Sequence, residues 1–229
     1  MELLIVVVLI IVSIVLLGII LGFNFKKAKS LQEDKTLEKL INKFPDNITV
    51  AKEMLKSLNN EKVKVEETKS NNTSLYIAIT DKILIANIKN NYSRIQTIAH
   101  ECLHSIQDRK ILLFNFIFSD RKSVYWVVIA ILTLTHTIKN IEIQFIILLL
   151  FAIIKLAIRG FLETDAIIKA EYLSREYMES KGILKKEELK NVMKKYKEIS
   201  KIAVPHTIIQ IITSSFMGII MYYIISLIK

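Results

Sequence analysis

The chain has 229 residues, 52% of them hydrophobic and 24% charged, with a formal net charge of +10 and a mean hydropathy of +0.39. Four long stretches carry almost no charge, and 29 of the 32 Lys and Arg lie in the two segments between them, which excludes an ordinary soluble enzyme, a fibrous protein and a disordered chain. A single cysteine excludes an intramolecular disulfide and a thiolate zinc finger, and what remains is a small integral membrane protein with a basic, water-facing part.

Leu3 to Phe23 holds no charge, and a helix rising ~1.5 Å per residue crosses a bilayer over that length. Glu2 at the start, and no small-x-small site at the end, favour an uncleaved anchor over residues 1–23 rather than a signal peptide. Residues 24–122 form a first water-facing lobe. Lys26 to Leu40 is expected to be a polar helix or linker. Val50, Met54, Leu55 and Leu58 recur at helical spacing and predict a helix over 47–58. Alternation at Val63 and Val65, at Leu75, Ile77 and Ile79, and at Ile83 and Ile85 predicts a small three-stranded sheet, expected to be antiparallel, with a turn at 71–73. Asn91 or Ser93 is placed to cap a helix running through Gln107. Ile111 to Phe118 is apolar but too short to span, and is expected in the membrane interface.

Val124 to Ile138 and Ile143 to Ile158 predict a helical hairpin over 123–158, each arm near the short limit for a span. Whether the hairpin crosses or dips into one leaflet, both of its ends emerge on the same face. Residues 159–201 predict two amphipathic helices that break at Ser180, Lys181 and Gly182. Ile202 to Ile228 predicts a last span over 202–229, with Pro205 in its first turn. Basic residues crowd the lobe side of every span, so the positive-inside rule expects both lobes in the cytoplasm and both termini outside. That charge suits a bilayer with anionic headgroups. It accompanies no nucleic-acid recognition motif, so nucleic acid is not an expected partner.

Residues 100–104 read His-Glu-Cys-Leu-His. On a helix His100 and His104 are four apart and share a face, one turn from each other, a spacing that lets both imidazoles bind one zinc ion. Glu101 is then beside the metal without being a ligand, placed to move protons as the catalytic general base. Chance would yield only about 0.005 such motifs in a chain of this composition. A catalytic zinc needs a third protein ligand and an open position. No third histidine follows closely, and the hairpin returns the chain to the face that carries the motif, so Glu163 is expected as that ligand. Residues two apart on a helix diverge by roughly 200°, so Asp165 is expected to brace a ligand's second nitrogen or the helix pair rather than bind metal. His206, at the start of the last span, is a further candidate as ligand or oxyanion stabiliser, beside the plainer reading of an interfacial residue. Cys102 is expected to be a packed thiol.

In order along the chain come a first span, Lys82-Ile83-Leu84-Ile85-Ala86, Ala99-His100-Glu101-Cys102-Leu103-His104-Ser105-Ile106-Gln107, an apolar hairpin, Glu163-Thr164-Asp165-Ala166, Lys181-Gly182-Ile183-Leu184 and a last span. This layout resembles the bacterial membrane-bound neutral zinc metallopeptidases, the YugP-like family, over most of the chain from about residue 75 onward. The resemblance implies a zinc peptidase with His100 and His104 as ligands, Glu101 as catalytic acid and base, and Glu163 as third ligand, as in gluzincin peptidases. The expected fold class is a mostly α membrane protein, with about four transmembrane helices and a small zincin-like α+β region. The expected cofactor is one Zn2+ per chain, and the expected substrates are peptides or proteins near the membrane. The alternative is a non-catalytic membrane scaffold or chaperone that keeps the metallopeptidase fold.

Overall fold

Charge-free runs and charged runs sort into different parts of the fold. The structure, a computed structural model, describes residues 2–22, 34–68 and 73–228. The expected linker around Lys26, Lys27 and Lys29, and residues 71 and 72 of the expected turn, lie outside the described residues. In chain order the elements are α1 (Glu2–Ile20), α2 (Lys35–Ile41), α3 (Asn47–Ser57), β1 (Lys64–Glu67), β2 (Leu75–Ile77), β3 (Lys82–Ile85), α4 (Arg94–His104), α5 (Arg109–Leu134), α6 (Ile141–Lys181) and α7 (Lys186–Ile228). They divide into two units. One comprises Met1–Phe23, Leu113–Phe161 and Pro205–Lys229, and the other Asn24–Leu112 and Leu162–Val204.

In the first unit α5 and α6 form the predicted hairpin. Phe118 packs edge-on against Phe151, and the Tyr125 hydroxyl donates to Gln144, so residue numbers rise on one arm as they fall on the other. The chain turns between them at His136, which has φ +57° and an exposed side chain. Ile129, Leu148 and Tyr222 are buried inside this unit, where the Tyr222 and Thr133 hydroxyls meet at 2.9 Å. A Cβ on Gly218 would lie 3.9 Å from the Trp126 indole nitrogen, and that nitrogen donates to the Gly218 carbonyl at 2.8 Å. Two helices, α6 and α7, are long and apolar enough to cross a membrane, and Ile11–Ile20 is a shorter apolar helix.

The second unit is built on a conventional apolar core. Asp34 caps α2 by accepting from the Thr36 and Leu37 amides, and Asp46 caps α3 by accepting from Thr49. The face of α3 predicted from its spacing is the buried one, with Val50, Met54 and Leu55 inside. The sheet is mixed rather than antiparallel. Its order is β1-β3-β2, with β1 parallel to β3 (Lys64 opposite Lys82) and β2 antiparallel to it (Tyr76 opposite Ile83). The tight turn through Asp81, at φ +51°, makes β2 and β3 a hairpin. β1 joins the far side of β3, so β3 is central and both β1 and β2 are edges. Ile83 and Ile85 carry the inward face of β3.

Arg94 is buried, and among the described residues no carboxylate forms an ion pair with it. Its guanidinium donates to the Ile41 and Phe44 carbonyls and to Asn47 Oδ1, each at 3.0 Å, at the negative end of α2. Ser93 occupies the N-cap position of α4, but its side chain bonds Asn91 rather than a helix amide, and α4 ends at His104 instead of running on to Gln107. The apolar stretch 111–118 is the opening of α5, capped by Asp108 through the Lys110 and Ile111 amides. The break expected at Gly182 is present, at φ +62°. The two amphipathic helices of 159–201 are continuous with the apolar stretches on either side, because nothing between Ile158 and Glu163 stops a helix and α7 runs through Pro205. Proline removes one backbone donor there.

Candidate metal centre

Helix α4 presents two faces. Ile95, Ile98, Ala99, Cys102 and Leu103 enter the core of the second unit, which leaves His100 and His104 on the other side. The part of α6 in the same unit packs Ala166, Ala170 and Leu173 into that core, and so holds Glu163 against the imidazole pair. The three potential ligand atoms form a triangle. His100 Nε2 and His104 Nε2 are 3.0 Å apart, and Glu163 Oε2 is 3.5 Å from the first and 3.7 Å from the second. Ligand atoms at zinc-bonding distance in a tetrahedral site stand about 3.3 Å from one another, so the spacing fits one small divalent ion. The rings meet edge to face, with centroids 4.5 Å apart and planes at 85°, so neither blocks the other's nitrogen. Among the described residues these three form the group of side chains able to hold a metal.

The electrostatics suit a cation. Burial acts to raise the Glu163 carboxyl pKa, but hydrogen bonding and charge from both histidines outweigh it and hold the group far below the ordinary carboxylate range. Burial acts to lower the His104 pKa, yet Glu163, Glu101 and Gln107 together raise it. An anionic carboxylate therefore faces the imidazole pair, in a site about a fifth exposed at His100 and Glu163.

Gln107 fixes the chemistry of His104. Its Nε2 donates to the Leu162 carbonyl at 2.8 Å and to Asp165 Oδ2 at 3.1 Å, which leaves Oε1 to accept from His104 Nδ1 at 2.8 Å. With Nδ1 protonated, a neutral His104 offers a bare Nε2 toward the triangle. Asp165 thus reaches the site through Gln107 and is not one of the three candidate ligands; its other oxygen pairs with Lys169 at 2.6 Å. Spacing singles out Asp165 but not Gln107, whose one signal is its place one turn beyond His104.

Glu101 is 6% exposed. Burial raises its pKa, opposed by both histidines and by a hydrogen bond from the Tyr76 backbone N–H on β2. Cys102 turns away, fully buried with its Sγ 3.8 Å from the Ala51 carbonyl, and burial pushes its thiol pKa up. His206 belongs to the first unit, exposed on α7 next to Pro205, and is not a member of the triangle. A cavity of ≈ 170 Å³ opens beside His100 between Thr97, Ile167, Ala170 and Ile199. Comparison of the chain with protein-family models, with curated proteins and with solved structures found no match.

Proposed function

We propose that the chain is a multi-pass membrane zinc metallopeptidase, an endopeptidase acting on peptides or proteins held close to the bilayer, with its water-facing lobes in the cytoplasm. What carries this assignment is the triangle of His100, His104 and Glu163, drawn from helices on either side of the hairpin and spaced at 3.0–3.7 Å. Two imidazole nitrogens facing each other at that distance need a proton or a cation between them, and a carboxylate beside them stabilises either positive charge. The membrane half rests on exposure. Only 6% of the most apolar window of α6 and 17% of that of α7 is buried within the fold, whereas the core helix of a soluble protein is mostly buried.

Zinc bound in the triangle would supply a Lewis acid able to polarise a scissile carbonyl and to acidify water. The protein's own groups do the rest. Glu101, with a pKa raised by burial, takes the proton of the attacking water and delivers it to the leaving amine. Gln107 and Asp165 hold His104 in one tautomer and one orientation. The edge strand β2, whose Tyr76 amide meets Glu101, offers a template along which an extended substrate adds as a further strand. The cavity beside His100 receives one of its side chains.

The test is metal stoichiometry and hydrolysis on the purified full-length protein. One zinc per chain is expected. Glu101→Gln should keep the metal while hydrolysis of an unfolded protein substrate falls by about 100-fold or more. A preparation that takes up no zinc on reconstitution, or a Glu101→Gln protein that hydrolyses as fast as the wild type, overturns the proposal.

A further inference from the structure

The first unit contains a larger cavity, of ≈ 540 Å³, between α5, α6 and α7. Its composition is two-sided. Lys122, Lys155 and Arg159 supply its charged lining, and no acidic residue lines it among the described residues. Trp126, Met217 and Met221 supply apolar lining. Lys122 and Lys155 are each only partly exposed, so they are not a solvated basic collar pointing out into water. Lys155 Nζ donates to Ser214 Oγ at 3.1 Å, and Ser119 and Ser123 also line the cavity.

Holding the two lysine ammonium groups in one partly enclosed space is unfavourable both by their repulsion and by lost hydration. An anion inside the cavity reverses both effects, and phosphate oxygens suit a set of ammonium and guanidinium donors. A free phosphate has no use for the indole and thioether wall. A phosphate ester carrying hydrocarbon does. Lys155 lies three residues from the end of the apolar run 143–158, the depth at which a lysine reaches the headgroup layer.

We propose that this cavity is a binding site for an anionic phospholipid, with Lys122, Lys155 and Arg159 around the phosphate and Trp126, Met217 and Met221 against the glycerol and upper acyl chain. The site is separate from the metal centre and rests on the membrane assignment, not on the peptidase one.

Trp126 is the chain's one tryptophan, so its fluorescence reports on this cavity alone. The full-length protein is reconstituted into vesicles, co-flotation is measured, and Trp126 quenching is compared between brominated phosphatidylglycerol and brominated phosphatidylcholine. Selective quenching by the anionic lipid is expected. The double variant Lys122→Gln and Lys155→Gln should lower that selectivity by roughly tenfold or more. The arginine substitutions at the same two positions, and the charge-matched control Lys186→Gln and Lys190→Gln in the other unit, should retain it. Inorganic phosphate should not displace the lipid. Protein that fails to co-float overturns the membrane assignment and the lipid site together. Co-flotation with equal quenching by both lipids overturns the site alone. Selectivity lost equally in the charge-matched control would mark it as bulk charge and also overturns the site, and displacement by inorganic phosphate would reassign the cavity to a soluble anion.

Discussion

Gln107 has little choice of partners, because its amide nitrogen is committed to the Leu162 carbonyl and to Asp165, and its oxygen therefore takes the His104 proton. Replacing it with leucine keeps the bulk and removes the restraint on the ring. Gln107→Leu should weaken zinc binding by about 10- to 100-fold, measured by competition with a chromogenic chelator, while Glu163→Ala should cost more because it removes a ligand atom. Arg94 poses a different case. Arg94→Met leaves the Ile41 and Phe44 carbonyls and Asn47 Oδ1 without their donors inside the core, and should lower stability by about 3 kcal/mol in denaturant unfolding. The two residues also differ in what the sequence allows a reader to see. His100, His104 and Glu163 are legible from i,i+4 spacing and from a hairpin that brings the chain back. Gln107 owes its position to a carbonyl and a carboxylate 55 and 58 residues away, and Arg94 to acceptors about 50 residues earlier. No local pattern encodes either.

At the level of elements, α3 is tied to α6 by Glu53, which accepts from Tyr177 at 2.7 Å and pairs with Lys181. Burial acts to raise the Glu53 pKa, but the Lys181 and Tyr177 hydrogen bonds prevail and hold it below its ordinary 4.5. The sign follows from that direction. A carboxylate with a depressed pKa in the folded state stabilises fully above its unfolded value, and the contribution fades as pH falls through the folded one. Because the Glu53 side chain is more than a third exposed, solvent screening limits the effect to at most about 1 kcal/mol. Chemical denaturation of the wild type and of Glu53→Gln should show a stability difference at pH 7 that shrinks below pH 4.5; a difference independent of pH would place the effect of Glu53 elsewhere. Most elements were readable because burial has a period: α3 and the inward residues of β3 follow it closely. The parallel β1–β3 pairing was not readable, since alternation marks a strand without marking its direction. The continuity of α6 and α7 was hidden by the switch from apolar to amphipathic sequence within a single helix, a change of surroundings rather than of backbone.

On the scale of the whole molecule, α6 offers an internal comparison, because its two parts lie in different units and both carry outward-facing apolar residues. Leu150 is 52% exposed in the first unit and Ile168 is 47% exposed in the second. In water these positions are equivalent, and a lysine at either would be tolerated or would improve solubility. If the first unit is embedded in lipid, the equivalence disappears. Leu150 lies midway along the apolar run 143–158, where a lysine costs about 2.5–3.5 kcal/mol of membrane insertion, whereas Ile168 belongs to the second unit, outside that run. Leu150→Lys should therefore shift the protein from the membrane fraction toward the soluble or degraded fraction, and Ile168→Lys should leave its distribution unchanged, as read by carbonate extraction and vesicle flotation. Equal behaviour of the two variants would mean that the exposed apolar face of α6 is covered by protein instead of lipid. The same pair bears on the metal centre, since Glu163 follows the apolar run on this one helix: a lysine that keeps the run out of the bilayer should lower membrane-bound zinc along with membrane-bound protein, and leave the zinc content per folded chain unchanged.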